Sequence, residues 1–310
     1  MKQSLRVWRT SYWLLLLVWC GWAANLSAQP LLWQVDKPGL PGSLWLFGSL
    51  HYGAPDFYPL PDQVVAAYES ADALLVELDV SALDERDMQA LLRQEGFLEP
   101  PLSLQKLVDD PLWQQLAHRT AEQSADLAAF SRMRPWLVAL QLAAGQMQQS
   151  AYQSALGIDR HFIEHARHTG KTIVELETFE QQIHVFSRLS DSDQAAFLAS
   201  TLHDYEQAPI MLEGLATAWR AGDAKQLEAH IFPAFAASAI GEVLFQRVFV
   251  ERNYLMVQAL REQLQIPGQL FVVTGVGHML GDEGLVCLLL RDGYRVRTQP
   301  DNGGPDCPDV

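Results

Sequence analysis

Apolar residues fall into short runs towards the two ends of the chain, and these runs predict β-strands. Leu31–Val35 and Ser43–Leu50 are separated by a stretch rich in proline and glycine, which predicts two strands joined by a turn. Ala73–Leu78 and Gln269–Gly275 are short apolar runs of the kind that form buried strands. The other predicted strands are Lys171–Glu177 and Tyr294–Thr298.

The middle of the chain has a helical pattern, interrupted near prolines and glycines, over residues 84–157 and 178–265. Shorter helices are predicted at Asp62–Ala71, at Ile158–Thr169, which Gly170 closes, and at Glu283–Arg291. Strands at both ends of a helical middle predict an α/β or α+β fold with a large helical insertion. We expect one domain over residues 29–310.

The N-terminal residues 1–28 have the features of a secretory signal peptide. Lys2, Arg6 and Arg9 precede the apolar run Tyr12–Ala24, and the small residue Ala28 follows at a plausible cleavage position. The alternative is an uncleaved membrane anchor, but a spanning helix needs about 20 apolar residues. We therefore expect a periplasmic or secreted protein with no transmembrane segment after cleavage.

Composition narrows the possible partners. The chain is 49% hydrophobic and 19% charged, which is typical of a globular protein and not of a disordered one. Its net charge is −15, and beyond the N-terminus there is no cluster of Lys and Arg. Since nucleic-acid binding needs a basic surface, no nucleic acid is expected as a partner.

Two cysteines, Cys287 and Cys307, remain after the predicted signal peptide. An even number of cysteines in an exported protein is consistent with a disulfide, here between an apolar helix and the C-terminal tail. Two free thiols are the alternative.

Two of the apolar strands end in the same motif. Gly48-Ser49-Leu50-His51 and Gly275-Val276-Gly277-His278 each combine a glycine, which would let the backbone turn tightly, with a histidine three residues later. Ligands of α/β sheets bind at the carboxyl ends of strands, so both imidazoles could meet there. Two unrelated loop histidines are the alternative.

Two glutamates occupy comparable positions. Glu77 lies near the end of an apolar strand, where a charged group is costly unless it is paired or binds a metal. Glu177 lies where a strand passes into a helix. Glu77 on the solvent face of an edge strand is the alternative. Together with His51 and His278, Glu77 could form a catalytic metal site, in which a carboxylate acts as general base.

A family resemblance rests on several short motifs in a fixed order. The chain resembles the TraB/GumN family, which is related to the Tiki proteases and more remotely to ChaN and the erythromycin esterases (EreA). The residues that carry it are Gly48–His51, Asp56–Pro59, Glu77, Gly157–Asp159, Gly170-Lys171, Leu176–Thr178, Arg252-Asn253, Gly275–His278 and Gly284-Leu285.

The resemblance covers about residues 31–300 and implies an EreA/ChaN-like mixed central sheet flanked by helices. It implies a site built from His51, Glu77 and His278, with Glu177 and Arg252 as further candidates. In Tiki-like members such a site cleaves peptides and depends on manganese or cobalt. Arg252 could hold a carboxylate or stabilise an oxyanion, or it could be a surface arginine paired with Glu251.

One further motif could also bind a metal. His161, Glu164 and His165 fit the pattern H-x-x-E-H of some zinc proteases. Their helix is rich in polar residues and would turn Ile158 and Phe162 towards the core, which favours an exposed helix without a metal.

The sequence thus predicts a divalent-metal-dependent hydrolase, a peptidase acting on a peptide or protein, with manganese, cobalt or zinc at His51, Glu77 and His278. Glu77 or Glu177 would activate water. One alternative is a non-catalytic protein of the same fold that binds a peptide, haem or iron. Another is hydrolysis without metal, in which a histidine is the general base.

Overall fold

A computed structural model describes residues 30–122 and 126–299, together with Pro305 and Cys307. The predicted signal peptide at residues 1–28 lies outside these residues. The described strands form one sheet in the order β4-β3-β5-β2-β1-β6. Their bounds are β1 Leu32–Asp36, β2 Gly42–Ser49, β3 Ala73–Val76, β4 Thr172–Glu175, β5 Gly268–Gly275 and β6 Arg295–Gln299.

The sheet is mixed. Strands β4, β3, β5 and β2 are neighbours and run parallel, whereas β1 is antiparallel to both β2 and β6. The carboxyl ends of the four parallel strands therefore open onto the same edge, where ligands of α/β sheets bind. This arrangement confirms the predicted mixed central sheet.

Helices fill the connections between strands, and those before and after β4 form the predicted insertion. Within the described residues the helices are α1 Asp62–Ser70, α2 Glu85–Gly96, α3 Leu104–Leu107, α4 Asp110–Glu122, α5 Leu127–Phe130, α6 Pro135–Gln148, α7 Ile158–Thr169, α8 Phe179–Ser187, α9 Asp191–His203, α10 Ala208–Ala221, α11 Ala224–Ala236, α12 Ala239–Phe245, α13 Glu251–Gln263 and α14 Leu285–Arg291. A π-helical turn, Gln246–Val250, joins α12 to α13.

The sheet and the insertion have separate hydrophobic clusters. The main cluster packs helices against the sheet, and Phe47 of β2 contacts the rings of Phe162, Trp219 and Phe271 at its centre. A second cluster lies among α3, α4, α6 and α9. The insertion is therefore stabilised by apolar burial of its own, as well as by its contacts with the rest of the chain.

Two predicted strands are shorter in the structure. Strand β3 ends at Val76 and not at Leu78, and β4 ends at Glu175 and not at Glu177. Glu77 was expected inside its strand but comes directly after it, where its carboxylate accepts a hydrogen bond from the backbone N–H of Gly275 at 2.6 Å. Both glutamates consequently lie at the edge onto which the parallel strands open.

The C-terminal tail is tied to the fold by a disulfide between Cys287 and Cys307, with an S–S distance of 2.02 Å. This confirms the predicted pairing over the alternative of two free thiols. Cys287 lies in α14, an apolar helix that is buried over Leu285–Leu289. No helix in the described part of the chain is both long enough and apolar enough to cross a membrane.

Candidate active site

Three predicted site residues converge beside Gly275, the last residue of β5. A side-chain carbon at Gly275 would lie 3.3 Å from Oε1 of Glu77, 3.6 Å from Nε2 of His51 and 3.8 Å from Cδ2 of His278. His51 reaches this point from the end of β2, Glu77 from the end of β3 and His278 from the end of β5. The absent side chain of Gly275 thus leaves the space that the three groups share.

The glycines of the two Gly-x-x-His motifs serve close packing. Neither Gly48 nor Gly275 has a positive φ, so neither backbone conformation requires a glycine. A side-chain carbon at Gly48 would lie 2.8 Å from Cγ2 of Val276, which belongs to the second motif. The two motifs therefore pack directly against each other.

The orientation of His278 is set by Asn253 of α13. Nδ1 of His278 lies 2.6 Å from Oδ1 of Asn253, and Nδ2 of Asn253 donates to the backbone carbonyl of Glu283 at 2.7 Å. Because the amide nitrogen is engaged elsewhere, the amide oxygen must accept the Nδ1 proton. Nε2 is then the unprotonated nitrogen, and it lies 3.8 Å from Oε1 of Glu77.

His51 is oriented by Asp159 in the first turn of α7. Its Nδ1 lies 3.2 Å from Oδ1 of Asp159, and its side chain is 56% exposed, so the ring sits at the mouth of the site. Gly157 permits this approach, since a side-chain carbon there would lie 2.4 Å from the carbonyl oxygen of His51. The remaining nitrogen, Nε2, points towards Gly275.

Arg252 joins the two glutamates. Its Nε and Nη2 donate to the two oxygens of Glu177 at 2.8 and 2.7 Å, and Nη2 also donates to Oε2 of Glu77 at 2.8 Å. The three side chains are nearly buried, with exposed fractions of 14% for Arg252, 8% for Glu77 and 2% for Glu177. Arg252 therefore holds carboxylates, which is one of its expected roles, and is not a surface residue paired with Glu251.

The charges around the site shift three pKa values. Burial opposes the charge of Glu77, but His278, His51, Arg252 and the Gly275 N–H together lower its pKa to about 2. Burial lowers the pKa of His278 to about 4, although Glu77 acts in the opposite direction.

The pKa of His51 moves the other way. Partial desolvation disfavours its charged form, yet the interaction with Asp159 and the charge of Glu77 raise the pKa to about 9. An ionised carboxylate thus lies between a neutral buried imidazole and a more exposed imidazole that binds its proton firmly.

Two small cavities give access to these groups. One, of about 270 Å³, is bordered by His51, Glu77 and Asp159. The other, of about 160 Å³, is bordered by His51, Glu77 and Arg252. Both His51 and Glu77 therefore face open space.

The comparison with known families agrees with the arrangement of these motifs. The model of the TraB/PrgY/gumN family matches residues 31–298, nearly the whole described chain. The chain belongs to the TraB/PrgY/gumN family.

Relatives of this family member include a protein named for an activity. The uncharacterized protein YbaP of Escherichia coli (strain K12) is 28% identical over 272 residues, which cover 86% of this chain and 96% of YbaP. YbaP of Shigella flexneri gives the same values. Metalloprotease TIKI2 of Danio rerio is 24% identical over 315 residues, which cover 87% of this chain and 61% of TIKI2. No solved structure matches the chain.

The competing H-x-x-E-H motif of this family member lies on an exposed helix face. Ile158 and Phe162 of α7 are buried, whereas His161, Glu164 and His165 are exposed, and Glu164 pairs with Arg160 of the same helix. This is the packing that the sequence favoured over a zinc site.

Sequence reasoning missed the two side chains that orient the histidines, Asp159 and Asn253. Both belong to motifs that carried the family resemblance, Gly157–Asp159 and Arg252-Asn253. The family motifs therefore contained both residues, but only the fold places them beside His51 and His278. Even the pair that is closer in sequence, Asn253 and His278, is more than 20 residues apart.

Proposed function

We propose that this TraB/PrgY/gumN family member is a metal-dependent hydrolase that cleaves peptide bonds outside the cytoplasm. The observation that carries the proposal is the convergence of His51, Glu77 and His278 on the space beside Gly275. The relationship to a protein named metalloprotease TIKI2 supports peptide as the substrate class. A disulfide, which persists in oxidising compartments, supports the location.

The donor groups suit a divalent metal. Two imidazoles and one carboxylate are a ligand set of catalytic zinc and related transition metals, and a metal bound here would displace the proton of His51. Metal-binding histidines typically use their second nitrogen for an outer hydrogen bond, and Asn253 and Asp159 face the second nitrogens of His278 and His51.

The donor groups must move closer together before they can bind a metal. Over residues 30–122 and 126–299, no three His, Cys, Asp or Glu side chains already have the spacing of a complete metal site. Binding therefore requires the donor groups to draw together. His51, which is half-exposed at the mouth of the site, has the most freedom to move.

The reaction is the addition of water across the peptide bond. A metal ion held by His51, Glu77 and His278 would polarise the scissile carbonyl and lower the pKa of water. A carboxylate that does not hold the metal would take a proton from water while the water oxygen bonds to the carbonyl carbon. This would be Glu177 where Glu77 is a ligand, or Glu77 where His51 and His278 alone hold the metal. The C–N bond would then break, and the same carboxylate would return the proton to the leaving nitrogen.

Glu177 and Arg252 support Glu77 in this scheme. Glu177 is joined to Glu77 through Arg252, which donates to both oxygens of Glu177 and to Oε2 of Glu77, while Oε1 of Glu77 accepts from the Gly275 N–H. Arg252 fixes the position of Glu77 and keeps it ionised, because its positive charge lowers the pKa of that carboxylate.

The test is hydrolysis of a peptide library by the purified mature protein, with and without a chelator. We expect the chelator to abolish cleavage and added manganese, cobalt or zinc to restore it. His51→Ala and His278→Ala should be inactive, whereas His118→Ala, at an exposed helical position, should retain activity. Iron or haem bound without any cleavage would instead favour a binding protein and contradict the proposal.

One observation favours a second candidate, hydrolysis without metal. The Asp159–His51 pair resembles the carboxylate–imidazole pair by which many hydrolases orient a general base. Cleavage that survives the chelator but is lost in both His51→Ala and Asp159→Asn would select this reaction.

A further inference from the structure

A cavity of about 920 Å³ lies next to the candidate active site, on the far side of Phe249 from His278. We call it the phenylalanine cavity, because the rings of Phe232, Phe235, Phe245 and Phe249 line it. These rings pack edge to face or tilted against one another, and each remains partly exposed. Covering them with an apolar group is therefore favourable.

The cavity adjoins the site, with the ring of Phe249 between them. Phe249 lies in the π-helical turn, and its ring centroid is 5.3 Å from that of His278. Asn253, which orients His278, also borders the cavity. Gly277 makes room for Phe249, since a side-chain carbon there would lie 2.6 Å from Cε1 of the ring. A group in the cavity therefore lies one side chain away from the proposed ligand His278.

The charge around the cavity has one sign. Glu242, Asp282 and Glu283 border it, and no lysine, arginine or histidine does so within the described residues. Glu242 and Asp282 are exposed to solvent, while Glu283 lies 3.6 Å from Arg291. An occupant with positive charge is favoured here, and an occupant with a carboxylate is repelled.

We propose that the phenylalanine cavity is a specificity subsite for a peptide substrate that carries a large apolar side chain next to basic residues. The inference rests on the proposed function and names the substrate class of the same site. The volume is in the range of ligand pockets, about 300–1,000 Å³. A peptide fits the charges better than a fatty acid does, because the acidic border disfavours a carboxylate headgroup.

Binding is tested with fluorescently labelled peptides and does not require turnover. The probes are acetyl-Lys-Phe-Lys-amide, acetyl-Lys-Ser-Lys-amide and acetyl-Glu-Phe-Glu-amide. Lys-Phe-Lys should bind at least about tenfold more tightly than either of the others, since it alone combines the ring with positive charge. Equal affinities, or tight binding of dodecanoate without binding of Lys-Phe-Lys, would overturn the proposal.

A matched pair of variants on α11 locates the binding. Ala236 borders the cavity, so Ala236→Trp should fill it and weaken Lys-Phe-Lys binding about tenfold or more. Ala234 is exposed and does not border the cavity, so Ala234→Trp should bind as the wild type does. Equal binding by both variants would contradict the assignment.

The subsite and the hydrolase activity can each fail without the other. Binding of Lys-Phe-Lys that Ala236→Trp weakens, without cleavage of any peptide, would support the subsite and contradict the hydrolase. Cleavage with equal kcat/KM for Phe and Ser peptides would show that the apolar residue does not matter. That result would contradict the subsite but not the proposed hydrolase.

Discussion

Oδ1 of Asn253 lies 2.6 Å from Nδ1 of His278, and the amide nitrogen of Asn253 is held by the carbonyl oxygen of Glu283. This chain of hydrogen bonds fixes which nitrogen of His278 carries the proton. It also turns Nε2 towards Glu77. A residue that does not touch the proposed metal thus determines whether His278 can bind it.

Asn253→Ala should therefore weaken metal binding by about 10- to 100-fold, as loss of such outer partners does. Asn253→Asp keeps an acceptor oxygen for Nδ1 and should lose less affinity. Calorimetric titration with a divalent metal measures both variants, and circular dichroism checks that they fold. Wild-type affinity in Asn253→Ala would show that His278 needs no such orientation.

Replacing Arg252 should destabilise the fold. Arg252→Met would leave the carboxylates of Glu77 and Glu177 buried without their cation, and such losses typically cost about 3–5 kcal/mol. Chemical denaturation measures the free energy of unfolding. The control is Arg160→Met, which removes an exposed ion pair with Glu164 and should cost only about 0–1 kcal/mol. An equal loss of unfolding free energy in the two variants would contradict the role of Arg252 in pairing the buried carboxylates.

Gly275→Ala should abolish function with little effect on stability. The backbone at Gly275, with φ −51° and ψ 135°, is accessible to alanine. The added methyl group would occupy the space between Glu77 and His51, at 3.3 and 3.6 Å from their facing atoms. Metal content and peptide cleavage should both be lost while the melting temperature stays close to that of the wild type.

Gly145→Ala is the control for this variant, because no atom lies within 4 Å of the added carbon on α6. It should retain both metal and activity. Normal cleavage by Gly275→Ala would mean that the reaction takes place elsewhere.

Loss of the disulfide should lower stability but not activity. The bond closes a loop with a sequence separation of 20 residues, for which chain entropy predicts about 3 kcal/mol. Cys307→Ser should therefore unfold at a lower denaturant concentration than the wild type, and a reducing agent should shift only the wild type. A transition in Cys307→Ser that coincides with that of the oxidised wild type would show that the tail adds no stability.

The sequence predicted the sheet well because most of its strands contain a short apolar run bounded by proline, glycine or polar residues. It also placed His51 and His278 after strands, and parallel strands bring such positions to one edge. Strand ends were less accurate. Glu77 follows its strand directly, and its carboxylate bonds to Gly275, a contact across the sheet that no local pattern contains.

The supporting residues of the site were not predictable from local pattern for the same reason. Asp159 and Asn253 look like ordinary polar residues of helices α7 and α13. Their roles arise only when α7 is brought against the loop after β2, and α13 against the end of β5. Arg252 could be read in two ways from the sequence, and its burial between Glu77 and Glu177 separates them.

The proposed function requires that His51, Glu77 and His278 bind one divalent metal ion. Elemental analysis of the purified mature protein tests it most directly, with the wild type compared with His51→Ala and His278→Ala at equal protein concentration. We expect about one equivalent of metal per wild-type chain and a large loss in both folded variants. Metal content that is unchanged in the folded variants, or a wild type that takes up no manganese, cobalt or zinc, would contradict it.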